Sequence, residues 1–376
     1  MSKARIIGPF LVGLLILPGA WLPEGALPVR AHLLVAGAVI WALGATAARV
    51  AGVLLPEAGW LARAVIAFEV AVAVVVVPAT WLGHFGHLSP RALLFWVVVA
   101  FLLTRLFAAP APASGVASPV GIGAIPSRLE KGERFLLAIA VWAFLTLLAA
   151  TVIRYRYAAP GEIHFDDSSY HLSAVAAWRS FGDLRMMKFP VGDTAMTFFP
   201  VAGELFSFFL LSLVSPSDFL ARWSELPFAV FSLVGVAALA VQLGLGRRSA
   251  LLAALFFGLT RRFFVNGPLM LSAGTDLATA FHVLATILAA LLLVERPGWR
   301  RAIVAGLPLG LLIGTKYAGV LFSAPLGILL LSCRAAAQDA RGRSFGSDRR
   351  GWRTGNQVHP LAAARRGATG SSESWT

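Results

Sequence analysis

Residues 277–294 read LATAFHVLATILAALLLV, eighteen positions without a formal charge, entered through Gly274-Thr275-Asp276 and closed by Glu295. A helix that crosses a bilayer needs roughly 20 predominantly apolar residues, within a range of about 17–25. This stretch is long enough and apolar enough to be one. Outward from it, similar runs recur at 6–22, 31–48, 65–81, 92–107, 135–153, 197–214, 227–245, 302–315 and 319–331, with a weaker, broken run over 251–271. The first could be read as a secretory signal, since Lys3 and Arg5 precede it. Its length and the spans that follow favour an uncleaved helix.

Composition agrees. The 376 residues are 58% hydrophobic and only 13% charged, whereas soluble domains carry about 25% charged residues. A soluble enzyme, a disordered chain and a nucleic-acid-binding module are all disfavoured. The net charge of +14 therefore bears on membrane topology and is no nucleic-acid signal. The single Cys333 excludes a disulfide framework and any thiolate-rich metal site. The expected fold is an all-α polytopic membrane protein with about 10–12 transmembrane or re-entrant helices.

Lys and Arg orient the chain. Lys3 and Arg5 favour a cytoplasmic N-terminus, and the basic loop from Arg105 to Arg134 then also falls inside. The longest polar segment, residues 154–196, carries five basic and five acidic residues and falls outside. Arg247–Arg248 and Arg261–Arg262 flank a run of 12 residues, too short for an ordinary span. To keep the arginines of 295–301 inside, residues 245–276 are expected to cross an even number of times, as a re-entrant or short broken pair. Asp276 then lies outside, and the outward run 302–315 delivers Lys316 to the same face.

The outer segment reads GEIHFDDSSYHLSAVAAWR over 161–179. Asp166 or Asp167 is a suitable helix N-cap, and Leu172, Val175 and Ala176 supply an apolar helical face. Asp167 and His171 are spaced i,i+4, as are Asp166 and Tyr170, so such pairs can meet on one surface. A carboxylate with imidazole and phenol one turn on suits a general base or a carboxylate–imidazole metal site. It equally suits a plain cap beside interfacial aromatic residues. Asp276 can be an N-cap, and Lys316 either snorkels or meets an anionic ligand. Glu204 lies near the outer end of its span by this orientation, a position from which it could face the same cavity. Glu69 is buried in an apolar run with no partner evident in the sequence.

The order of these features resembles the GT-C superfamily of membrane glycosyltransferases, such as protein O-mannosyltransferases and lipid A aminoarabinose transferases. A span at 135–153 is followed by Asp166-Asp167-Ser168-Ser169-Tyr170-His171. Then come Gly274-Thr275-Asp276 ahead of a span, and Gly306-x3-Gly310-x3-Gly314-Thr315-Lys316-Tyr317. The likeness covers residues 135–331. It implies transfer of a sugar from a polyprenyl-phosphate donor to an acceptor at the extracytoplasmic face, in a bacterial inner membrane. It also implies catalytic roles for Asp166, Asp167 and His171, and substrate-binding roles for Tyr170, Asp276 and Lys316; Glu204 joins the substrate-binding set by its place near the outer end of its span. Asp166 and Asp167 are the candidates for a divalent metal ion. The acceptor is not identified, and no nucleic acid partner is expected.

The expected organisation is a four-span extension (1–108), a cytoplasmic linker (109–134), a GT-C-like membrane domain (135–332) and a basic tail (333–376). Residues 334–376 hold eight arginines and three acids without apolar periodicity, which reads either as a disordered cytoplasmic tail or as out-of-frame sequence ending a truncated chain. Two features depart from the superfamily pattern, the four preceding spans and the intervening tail. Rival readings are a transporter of sugar-linked or amphiphilic substrates and an inactive truncated membrane protein.

Overall fold

The computed structural model describes residues 29–107, 170–185, 200–213, 223–260 and 274–328, with scattered positions in 132–149 and at 331–332. All regular structure among the described residues is helical: α1 (Val29–Leu54), α2 (Trp60–His84), α3 (Pro90–Phe107), α4 (Leu172–Phe181), α5 (Ala202–Leu213), α6 (Glu225–Gln242), α7 (Arg247–Gly258), α8 (Asp276–Glu295), α9 (Trp299–Thr315) and α10 (Tyr317–Ile328). Among the described residues, four segments are long and apolar enough to cross a membrane: Leu34–Leu54, Trp60–His84, Glu225–Gln242 and Asp276–Glu295. The chain is an all-α polytopic membrane protein. Residues 329–376 form a separate unit that lies almost wholly outside the described residues.

Side-chain and backbone contacts sort the helix ends into two groups. At one end, Glu57 between α1 and α2 pairs with Arg296 between α8 and α9. Gln242 at the close of α6 donates to Glu295 at the close of α8, 3.3 Å away. At the other end, Glu225 opening α6 accepts the backbone N–H of Leu277 in the first turn of α8, at 3.1 Å. Helices α6 and α8 therefore run parallel. Helix α7 folds back along α6 through the turn at Leu243–Gly246, where Gly244 takes φ 88°, a left-handed conformation that suits glycine. Ala237 and Ala240 of α6 pack on Ala250 of α7.

This arrangement corrects the expected path. Helices α5 and α6 both begin at the same end, where the sequence suggested a crossing between their starts. Gln242 closing α6 and Asp276 opening α8 lie at opposite ends of the bundle, where an even number of crossings between them was expected. The two errors cancel, and Asp276 still shares an end with α4. The physical reason is length: α5 and α7 have 12 residues each, about 18 Å of rise against about 30 Å of hydrocarbon. Apolarity alone does not distinguish a full crossing from half of one.

Helices α1–α3 pack into the rest of the bundle. Phe68 of α2 stacks on Phe231 of α6, centroids 4.1 Å apart. It also meets Phe206 of α5, Phe228 of α6 and Phe281 of α8 edge-on. Such offset and T-shaped pairs add about 0.5–1.5 kcal/mol each beyond their area. Beside this cluster, Glu69 of α2 accepts from His282 Nδ1 of α8, with both carboxylate oxygens at 3.0 Å. Neither side chain is exposed to more than 1%. Glu69 thus has the partner the sequence did not reveal.

Candidate functional site

The site is built where α5 and α8 begin and α9 ends. Gly203 is the closest packing point: a Cβ there would collide with the Thr275 methyl and lie 3.6 Å from Thr315 Cγ2. A Cβ on Gly314 would lie 3.5 Å from Ala202. Small residues let three helix ends approach to backbone distance. Their chain neighbours are Glu204, Asp276 and Lys316, three of the residues expected to gather.

Lys316 donates from Nζ to Asp276 Oδ1 at 2.5 Å, across 40 positions of sequence. The lysine side chain is 26% exposed and the aspartate 63%, so the pair opens to solvent. Asp276 is not the cap of α8, as the sequence suggested. Thr275 holds that position, its carbonyl accepting from Thr279 N at 2.9 Å. The Leu277 N–H is satisfied by Glu225 from α6, a carboxylate placed against the positive end of the helix dipole. The Asp276 carboxylate is thereby available to Lys316.

Helix α4 brings the second part of the site. Tyr170 and His171 form a short π turn ahead of it, with their rings 4.0 Å apart. His171 Nδ1 lies 2.7 Å from Glu204 Oε1, and both side chains are more than nine-tenths buried. With Glu204 as a carboxylate, Nδ1–H donates, which fixes the tautomer and leaves Nε2 as the nitrogen not engaged by Glu204. Glu204 Oε2 is buried without a hydrogen-bond partner among the described residues.

The far side of α4 is anchored on the α2–α3 turn. Gly182, at φ 74°, caps the helix by donating to Trp178 O at 2.7 Å. Its carbonyl accepts from Leu88 N at 2.8 Å, and Leu184 N donates to Gly83 O at 3.1 Å. The α2–α3 turn therefore holds α4. Just beyond, Arg185 grips Asp183 through two hydrogen bonds of 2.6 Å. These bonds hold the Asp183 carboxyl below the ordinary aspartate range.

Asp166 and Asp167 lie outside the described residues, as does their expected i,i+4 pairing. Among the described residues no three His, Cys, Asp or Glu side chains form a metal-binding group. The structure joins His171 to Glu204 and Asp276 to Lys316. It also reveals two polar residues not anticipated, His282 and Glu225. For His282 a signal existed. It is the sole ionisable group in its apolar run, as Glu69 is in 65–81, and intramembrane charges seek one another.

Apolar helices crossing a membrane, with acidic, basic and imidazole groups gathered at one end, define an integral membrane protein with a polar site at its surface. Residues 212–342 match the family model of dolichyl-phosphate-mannose-protein mannosyltransferase. No curated protein and no solved structure matches the chain. That family is one of the GT-C superfamily, and the resemblance seen in the sequence is borne out over α6–α10. The match supports a membrane glycosyltransferase that uses a polyprenyl-phosphate sugar donor. It includes Asp276 and Lys316, whereas Tyr170, His171 and Glu204 precede it.

Proposed function

We propose that the chain transfers a sugar from a polyprenyl-phosphate donor to an acceptor hydroxyl at the extracytoplasmic face of a bacterial inner membrane. The observation that carries this reading is the gathering of Tyr170, His171, Glu204, Asp276 and Lys316 at one end of the bundle. Orientation is supported by Arg105, Arg247, Arg248, Arg296, Arg300 and Arg301 at the opposite end, since basic residues favour the cytoplasm. The catalytic domain in this reading is 135–332, with 1–108 a four-span extension, 109–134 a cytoplasmic linker and 333–376 a basic tail.

In the reaction, the acceptor oxygen bonds to the anomeric carbon and the bond from that carbon to the phosphate oxygen breaks. A hydroxyl is a poor nucleophile, so its proton passes to a base within hydrogen-bond reach. Asp166 is that base, with Asp167 beside it. His171, oriented by Glu204, contributes its Nε2 to the same hydrogen-bond network. Tyr170 and Asp276 contact the substrates, and Lys316 offsets charge developing on the departing polyprenyl phosphate.

The test is sugar transfer by membranes bearing Asp166→Asn. Transfer is abolished while insertion and expression stay normal. Retained transfer removes the base assignment. Uptake of a sugar-linked substrate into proteoliposomes, independent of Asp166, replaces the enzyme with a transporter.

A further inference from the structure

At the end of the bundle opposite the candidate site, the α1–α2 and α8–α9 connections enclose a cleft of about 220 Å³. Its lining includes Glu57, Arg296, Trp299, Arg300 and Arg301. Arg296 is paired with Glu57. Arg301 donates to Leu292 O and lies 3.7 Å from Glu295. Arg300 differs. It reaches Val53 O at 3.4 Å and sits 5.4 Å from the Trp299 ring, and it forms no carboxylate pair among the described residues. Three guanidinium groups against two carboxylates leave an excess of one positive charge.

The surroundings have the character of a membrane surface. Trp299 is 68% exposed, as tryptophans at bilayer interfaces are. Ile303, one turn further along α9, and Val53 on α1 are also exposed. A ligand held at the guanidinium groups would thus have an apolar flank beside it. A phosphodiester carries one negative charge and acceptor oxygens that suit the planar guanidinium fork. Basic pockets between membrane helices bind such headgroups.

We propose that this cleft is a phosphate-binding site occupied by the headgroup of an anionic phospholipid, with Arg300 as its principal contact. The lipid bridges the α1–α2 and α8–α9 connections and so ties the extension to the segment carrying Asp276 and Lys316. This inference stands apart from the glycosyltransferase reading, because it uses no residue of the candidate site.

The test is native mass spectrometry of the purified full chain, titrated with phosphatidylglycerol or phosphatidylcholine, with and without inorganic phosphate. Phosphatidylglycerol binds more tightly than phosphatidylcholine. Arg300→Gln weakens the phosphatidylglycerol adduct about fivefold, the effect of one surface cation near an anionic lipid, while Arg300→Lys loses less. Glu57→Gln, which removes the carboxylate from the lining, tightens it. Inorganic phosphate that displaces the lipid transfers the site to a soluble phosphate compound and overturns the lipid assignment. Equal binding of both lipids overturns the proposal. So does a phosphatidylglycerol adduct unchanged in an Arg300→Gln protein with native circular dichroism.

Discussion

Among its described residues the bundle contains two buried imidazole–carboxylate pairs, and they are built differently. His282 meets both oxygens of Glu69 at 3.0 Å, deep in the bundle and sealed by phenylalanines. His171 meets one oxygen of Glu204 at 2.7 Å near the helix ends, and the other oxygen has no described partner. A closed pair stabilises one packing arrangement, because removing either member strands the other in a medium that cannot solvate it. An open pair retains hydrogen-bonding capacity for something that arrives later. The first reads as a fastening between α2 and α8, the second as a part of the site.

Substitutions can break or sharpen this contrast. The largest effect belongs to the closed pair: Glu69→Ala or His282→Ala should cost about 3–5 kcal/mol in unfolding assays. Replacing both by apolar residues of similar volume should recover most of that loss. No recovery would mean that the pair acts through more than mutual satisfaction. At the open pair, His171→Phe should cost about 1–3 kcal/mol for the carboxylate left unmatched. Sugar transfer, normalised to folded protein, should fall in that variant and remain in the Glu69/His282 double replacement. Equal transfer in both would erase the distinction.

The half-open Lys316–Asp276 pair should be worth less to stability. Lys316→Met should change unfolding by about 1 kcal/mol or less, as for exposed ion pairs, yet raise the KM for the lipid-linked donor. A stability loss like that of Glu69→Ala would make Lys316 a structural residue. The smallest effect is expected at Asp183. Its folded carboxyl titrates below the ordinary aspartate value, so its contribution is fully present above that value and is lost as pH falls through the folded one. Amide exchange at the C-terminal turn of α4 should accelerate over that acidic interval in the native protein and not in Asp183→Asn.

Much of this was legible in the sequence. Unbroken apolar runs predict the long helices α1, α2, α6 and α8, and the few charged residues predict that Glu204, Asp276 and Lys316 share an end with the loop helix. Direction was harder to read. Helices α5 and α7 are apolar but too short to cross, and hydropathy registers composition without reporting which way a segment runs. The cap of α8 was assigned to Asp276 because its real partner, Glu225, comes from a helix 52 positions earlier. Long-range pairing leaves little local trace. Glu69 and His282 could have been matched only by noticing that each is isolated in its own apolar run.

That separation has a consequence for how the protein is made. Glu69 enters the membrane with α2, and its partner is synthesised 213 residues later. At about 5–20 residues per second, the interval is roughly 10–40 seconds. Throughout it, Glu69 lacks the partner that it has in the finished bundle, and the arrival of α8 supplies it. The fastening between α2 and α8 is therefore a late event in biogenesis, and nascent chains halted before His282 should be the ones quality-control proteases remove first.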